Sequence, residues 1–246
     1  MPRYLRKNLL NTAFLCCFLA VSFSAVLNGQ NNRKTPYQLF DNIIGKTNTG
    51  VFNGLQYYDK FQVKGDKHQF FKHKFFIYGS LVYKGEPYFD LSIKYDLYAD
   101  ELLIKNLEVT NAPVTLIDKQ FIQQFELNGH QFINLAFDLN EHKRISGFFE
   151  VLLEHHGISV FKKYTKKMSR IVDGEVSYEF KEQYAYYLRF NENYYQLKKT
   201  NSLVSIFPEY KVPLRNSFKQ YSNLRKTDPD TYLLSIITDL NKLIKN

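Results

Sequence analysis

From Pro36 to about Thr200, apolar and polar residues alternate in short runs, and the runs end at residues that turn a chain sharply. A period of two puts successive side chains on opposite faces of a strand. Tight turns can join only antiparallel neighbours. The pattern predicts a mainly β (α+β) fold built as an antiparallel meander or a curved sheet forming a partial barrel, rather than a parallel nucleotide-binding sheet. Nineteen Tyr and 22 Phe without a Trp fit this reading, because aromatic rings pack well on a pleated surface.

The clearest strand is Tyr88–Tyr95, where Phe89, Leu91, Ile93 and Tyr95 share one face and Tyr88, Asp90, Ser92 and Lys94 the other. Lys84-Gly85-Glu86-Pro87 joins it to a strand at Ser80–Tyr83. Glu101–Lys105 and Val114–Ile117 read as further short strands. Phe121, Phe125 and Leu127 alternate up to Asn128-Gly129, a dipeptide suited to positive φ at both positions, and His130–Leu135 returns from it. Gly147–Glu154 turns through His155-His156-Gly157 into Ile158–Met168. Tyr184–Phe190 turns at Asn191-Glu192-Asn193 into Tyr194–Lys199.

After Thr200 the period lengthens. Ser202 is placed to cap a short helix that ends before Pro208, and a second helix starts near Pro213 with Leu214, Phe218 and Tyr221 on one side. In the third, Asp228 caps, Pro229 takes the first position, and Leu233, Ile236, Ile237, Leu240 and Ile244 form a stripe. Two to three helices over 202–246 are therefore expected to pack on the sheet.

The N-terminus has the three parts of an export signal: basic Arg3, Arg6 and Lys7, an apolar stretch from Leu9 to Leu27, and small residues after it. Ser22, Ser24 and Ala25 offer one cleavage point, and Gly29 before Gln30 the preferred one. The expected division is a signal peptide over 1–29 and one β-rich domain over 30–246, located in the periplasm or outside the cell, with an association with the outer membrane also open. Cleavage would remove Cys16 and Cys17, the only cysteines, and with them disulfides and thiol catalysis. It would also remove three positive charges and lower the formal net charge from +9 to +6 (9 − 3), too diffuse to mark a nucleic-acid binder. No second apolar run is long enough for a membrane helix.

No motif fixes a reaction, and no cofactor or metal ligand set is expected. Gly45-Lys46-Thr47 imitates a phosphate loop, but Phe40 stands where that loop needs glycine. Asp96, Asp100 and Glu101 are the weak catalytic candidates, as a general acid and base; the same residues also suit a strand-ending turn. Tyr57, Tyr58, Tyr186 and Tyr187 are candidates for stacking on a sugar or anchoring a partner. Lys162, Lys163, Lys166 and Lys167 form the densest basic stretch, read either as a contact for an anionic ligand or as an edge strand or protruding hairpin kept from aggregating by its charge.

Several stretches together resemble a group of secreted β-rich proteins of Bacteroidetes that has no assigned activity. They include Val82-Tyr83-Lys84-Gly85-Glu86-Pro87-Tyr88, Lys94-Tyr95-Asp96-Leu97-Tyr98, Phe125 to Phe132, Gly147 to Leu152 and Tyr194 to Lys199. The chain departs from that pattern at Lys67-His68-Gln69, where Gly-His-Pro is expected. The resemblance implies export and a β-rich body with a helical C-terminus, and transfers no functional residue. Three functions remain open: non-enzymatic binding of an envelope protein, glycan or lipid through the aromatic sheet; a lipid or lipoprotein carrier with a partial-barrel cavity; and a hydrolase using the acidic cluster.

Overall fold

Pairs of residues in the left-handed region of φ turn the chain back on itself with the twist that antiparallel strands need. Lys84-Gly85 (φ 52° and 83°), Asn128-Gly129 (55° and 76°) and Asn191-Glu192 (48° and 62°) each do so. The computed structural model describes residues 36–39, 49–139, 143–155, 157–199 and 201–244. The signal segment, its Gly29-Gln30 cleavage point and both cysteines lie outside the described residues. The chain divides into two compact units, Met1–Lys46 and Thr47–Asn246. The first is described over one helical turn at 36–39; all that follows concerns the second.

Eleven strands form one open sheet: β1 (Leu55–Gln56), β2 (Ile77–Tyr83), β3 (Glu86–Asp96), β4 (Glu101–Lys105), β5 (Val114–Leu116), β6 (Ile122–Leu127), β7 (His130–Leu139), β8 (Lys143–His155), β9 (Ile158–Asp173), β10 (Glu175–Phe190) and β11 (Asn193–Leu197). Their order is β1-β5-β4-β3-β2-β6-β7-β8-β9-β10-β11, and the paired strands run antiparallel. Four helices follow: α1 (Ser202–Ile206), α2 (Lys211–Gln220), α3 (Leu224–Thr227) and α4 (Pro229–Ile244). The fold is thus the expected antiparallel β body with its helices at the C-terminal end. The sheet also curls. Leu97 N donates to Gln69 O at 3.0 Å, Phe71 N to Tyr95 O at 2.9 Å, and Lys166 N to Leu97 O at 3.3 Å, so the end of β3 and the segment 69–71 meet β9.

Several local expectations change. Leu81 pairs with Tyr88 but Gly79 with Leu91, so Phe89 and Asp90 together face Ser80 in a bulge, with Asp90 at φ 53°. The extra residue flips parity: Tyr88 joins Leu91, Ile93 and Tyr95 in the core, while Phe89 turns to the other face. The β2–β3 turn needs only Lys84-Gly85. Phe121 belongs to a 3₁₀ turn rather than to the alternation, and it is Ile122 that shares the buried face of Phe125 and Leu127. The hairpin of β9 and β10 is far longer than the expected Ile158–Met168 and Tyr184–Phe190, closing only at Gly174 (φ 73°). Asn201, not Ser202, precedes α1, and no side chain caps that helix. Asp228 does cap α4, its Oδ1 accepting from Thr231 N at 3.0 Å.

Three apolar clusters hold the unit together. The first lies inside the curl, where Tyr95, Phe125, Phe132 and Phe148 pack edge-on or stacked with Phe71 and Tyr164 beside them. The second joins Ile158, Val160 and Leu188 of the sheet to Leu203, Phe207, Leu214 and the Ile236–Ile237 stripe of the helices. On the opposite face of β7 to β10, Phe137, Phe149, Phe161 and Tyr187 form the third, with Tyr194 of β11 stacked on Phe137 at 4.0 Å.

Candidate functional site

The acidic candidates are neighbours that do different things. Asp96, 2% exposed, ends β3, and its Oδ1 accepts from Tyr98 N (2.8 Å) and Ala99 N (3.0 Å), which makes the turn into β4. Burial raises its pKa to about 6, with nearby Glu101 adding to the shift against those two hydrogen bonds. Asp100, at φ 58°, turns the other way. Its Oδ1 accepts from Tyr95 OH at 2.6 Å, and its Oδ2 from Lys119 and from Lys163 at 3.0 Å. Burial pushes this carboxyl up, but Lys163, Lys119 and Tyr95 outweigh it and leave the pKa below the usual value. Asp100 and Glu101 line a cleft of about 650 Å³ with Asp118 and Lys119. The carboxylate with the raised pKa, Asp96, is sealed away from that cleft, and both oxygens of Asp100 are engaged. This is not the open pair of carboxylates that acid–base hydrolysis uses.

The lysines of β9 differ in their surroundings. Lys162 lies where β9 pairs with both β8 and β10. It is 7% exposed. Its Nζ donates to Asp230 Oδ1 (2.9 Å) and Oδ2 (2.7 Å) on the first turn of α4, and sits 4.6 to 5.7 Å from the rings of Tyr164, Tyr184 and Tyr186. Tyr186 OH also donates to Asp230. Lys163 points to the other face, and its Nζ reaches Asp100 and Phe148 O (3.4 Å). Lys166 donates to His68 O (2.7 Å) and Phe70 O (2.8 Å), tying β9 to the segment that completes the curl. Lys167 is exposed, on the arm of the hairpin that extends past β8. Three of the four therefore serve the fold. The edge-strand reading fails at Lys162; from Lys163 outward β9 keeps its strand pairing to β10 alone.

The tyrosines likewise do not gather on one face. Tyr187 is core, Tyr58 is 67% exposed, and Tyr57 is half-buried with its pKa raised by burial to about 12. Tyr186, on the face opposite to Tyr187, is the one that meets a cavity.

That cavity, about 670 Å³, opens between the ends of β10 and β11 and the helices. Its floor is apolar: Leu197, Leu203, Phe218, Leu233 and Ile236, with Tyr186 and Tyr232 on the wall. Its rim holds Lys198, Lys199, Lys219 and Arg225, all exposed, and no carboxylate is among the described lining residues. None of the four cations pairs with a described carboxylate. Leu233 and Ile236 of the floor belong to the helix stripe visible in the sequence, and Phe218 to the apolar side of the second helix. The sequence signal for the rim is the run from Lys198 to Lys226 with only Glu209 against its cations.

Among the described residues no group of three or more His, Cys, Asp or Glu is placed to hold a metal, and no helix is long and apolar enough to cross a membrane. No family model, no curated protein and no solved structure matches the chain.

Proposed function

We propose that this chain is an exported binding protein that holds an anionic amphiphile, an acyl chain ending in a carboxylate or phosphate, in the cleft between the sheet end and the C-terminal helices. The observation that carries the reading is the pairing of an apolar floor with a rim of four exposed cations that pair with no described carboxylate. An acyl chain gains by leaving water for such a floor, and an anionic head gains from ammonium and guanidinium groups at the mouth. A volume near 670 Å³ lies within the usual range for small-molecule sites. The arrangement keeps the carrier idea but moves its cavity: the inside of the curl is filled by aromatic side chains, and the space lies under the helices.

Displacement of a fluorescent fatty-acid probe from the purified protein tests this. Long-chain carboxylates should displace the probe, and the corresponding alcohols should do so roughly tenfold more weakly. Leu203→Trp, which fills the floor, and the pair Lys219→Glu with Arg225→Glu should each weaken binding by a similar factor. Equal affinity for acid and alcohol, or no displacement at all, would overturn the proposal.

A further inference from the structure

We infer that the basic face of α2 docks the protein on an anionic lipid surface, so that the cleft opens towards the bilayer from which its ligand comes. The inference rests on the binding reading above and adds a partner to it. Lys211, Arg215 and Lys219 follow one another at intervals of four residues, which puts them on one stripe of the helix. All three are exposed. Lys219 also lines the cleft, so the stripe runs into its mouth, where Lys198, Lys199 and Arg225 continue the positive surface. Val212, beside the start of the stripe, is 68% exposed.

Between Lys198 and Lys226 the chain carries seven cations against one carboxylate, Glu209. The acidic residues of the neighbouring helix offset them only in part: Asp230 is matched by Lys162 and Asp239 by Lys242, which leaves the charge of Asp228 alone to add to that of Glu209. Asp228 caps α4, Asp230 holds Lys162 and Tyr186, and Asp239 accepts from Ser217 (3.0 Å), Tyr221 (3.1 Å) and Lys242 (3.2 Å). A patch of this charge attracts any polyanion. The observation that selects a lipid surface is the apolar cleft opening in its midst, with Val212 at its margin. Nucleic acid would gain nothing from either, whereas a bilayer offers both an anionic plane and acyl chains.

Vesicle co-sedimentation of the full chain tests the inference. Binding is expected to vesicles with about a third phosphatidylglycerol, to be lost on pure phosphatidylcholine, and to be released by about 0.5 M salt. The triple variant Lys211→Glu, Arg215→Glu, Lys226→Glu changes residues outside the cleft lining. It should lose roughly thirtyfold or more in vesicle affinity while displacing the fatty-acid probe as the parent does. Unchanged vesicle binding by that variant, equal binding to neutral vesicles, or tighter binding to a single-stranded oligonucleotide than to the anionic vesicles would overturn the docking surface. Loss of probe binding in the parent, with vesicle binding intact, would instead overturn the cleft reading.

Discussion

Lys163 Nζ lies 3.0 Å from Asp100 Oδ2, and the two meet beside Gly147, where a Cβ would stand 1.9 Å from the carboxylate oxygen and 2.5 Å from the ammonium. β8 and β9 cease to pair beyond Glu150 and Lys162, and this ion pair fills the split between them. Gly147 is also at φ 117°, a conformation that L side chains rarely adopt. Gly147→Ala should therefore cost about 3 kcal/mol or more in urea unfolding, from backbone strain and displacement of the pair together. A loss below about 1 kcal/mol would show that the split can open without penalty.

Asp96 gives a pH dependence of definite sign. Its folded pKa, about 6, is above its value in an unfolded chain, so the folded state binds the proton more tightly. The stabilisation is complete below the unfolded pKa near 4 and is lost as pH rises through about 6. Asp100 works in the opposite sense: its lowered pKa adds stability above the unfolded value and loses it only in stronger acid. Asp96→Asn keeps an oxygen to accept from Tyr98 and Ala99 but removes the buried charge. The variant should match the parent at pH 4 and exceed it by about 2 kcal/mol at pH 8, measured by chemical denaturation. An equal difference at both pH values would remove ionisation as the cause.

Lys162 and Asp230 join the sheet to α4, and the lysine is the more deeply buried partner, its side chain 8% exposed against 35%. Removing the carboxylate strands a cation among three tyrosines. Removing both charges does not. Asp230→Ala should lose about 2 kcal/mol, discounted for the exposure of the aspartate, and Lys162→Met introduced into that background should restore about half of it. Thermal unfolding of the four-member cycle checks this; additive losses would mean that the pair does not couple.

The difference between what could be read in the sequence and what could not follows from contact range. Asn128-Gly129, the strand at Glu101–Lys105 and the Asp228-Pro229 helix start depend on neighbours within a few residues, and each stands as expected. The bulge at Asp90 could not be seen, because an aspartate in a left-handed conformation looks like any polar position in an alternating run. The partners of the β9 lysines are hidden for a different reason. Lys162 finds its partner 68 residues away and Lys163 finds its partner 63 away, and the composition of a segment does not reveal that. The cleft is harder still, since its floor and rim come from β10, β11 and all four helices.

The two turns Asn128-Gly129 and Asn191-Glu192 have the same left-handed pair of φ angles, but only the first has glycine at the second position. A side chain in that conformation costs about 1 kcal/mol from contact of its Cβ with the backbone. In partial return, Glu192 Oε1 accepts from Arg189 at 3.3 Å, but the glutamate side chain is 86% exposed and such a pair contributes well under about 1 kcal/mol. The strain outweighs the ion pair. Glu192→Gly should stabilise the protein by about 0.5 kcal/mol, raising the melting midpoint by about 1–2 °C for a domain of this size. Gly129→Glu, the reverse change in the matching turn, should lower stability by about 1 kcal/mol. Both effects are local to hairpin tips outside the cleft, so neither variant should alter displacement of the fatty-acid probe. A Glu192→Gly variant that melts lower than the parent would mean that the Arg189 contact, and not the backbone, decides the stability of the β10–β11 hairpin.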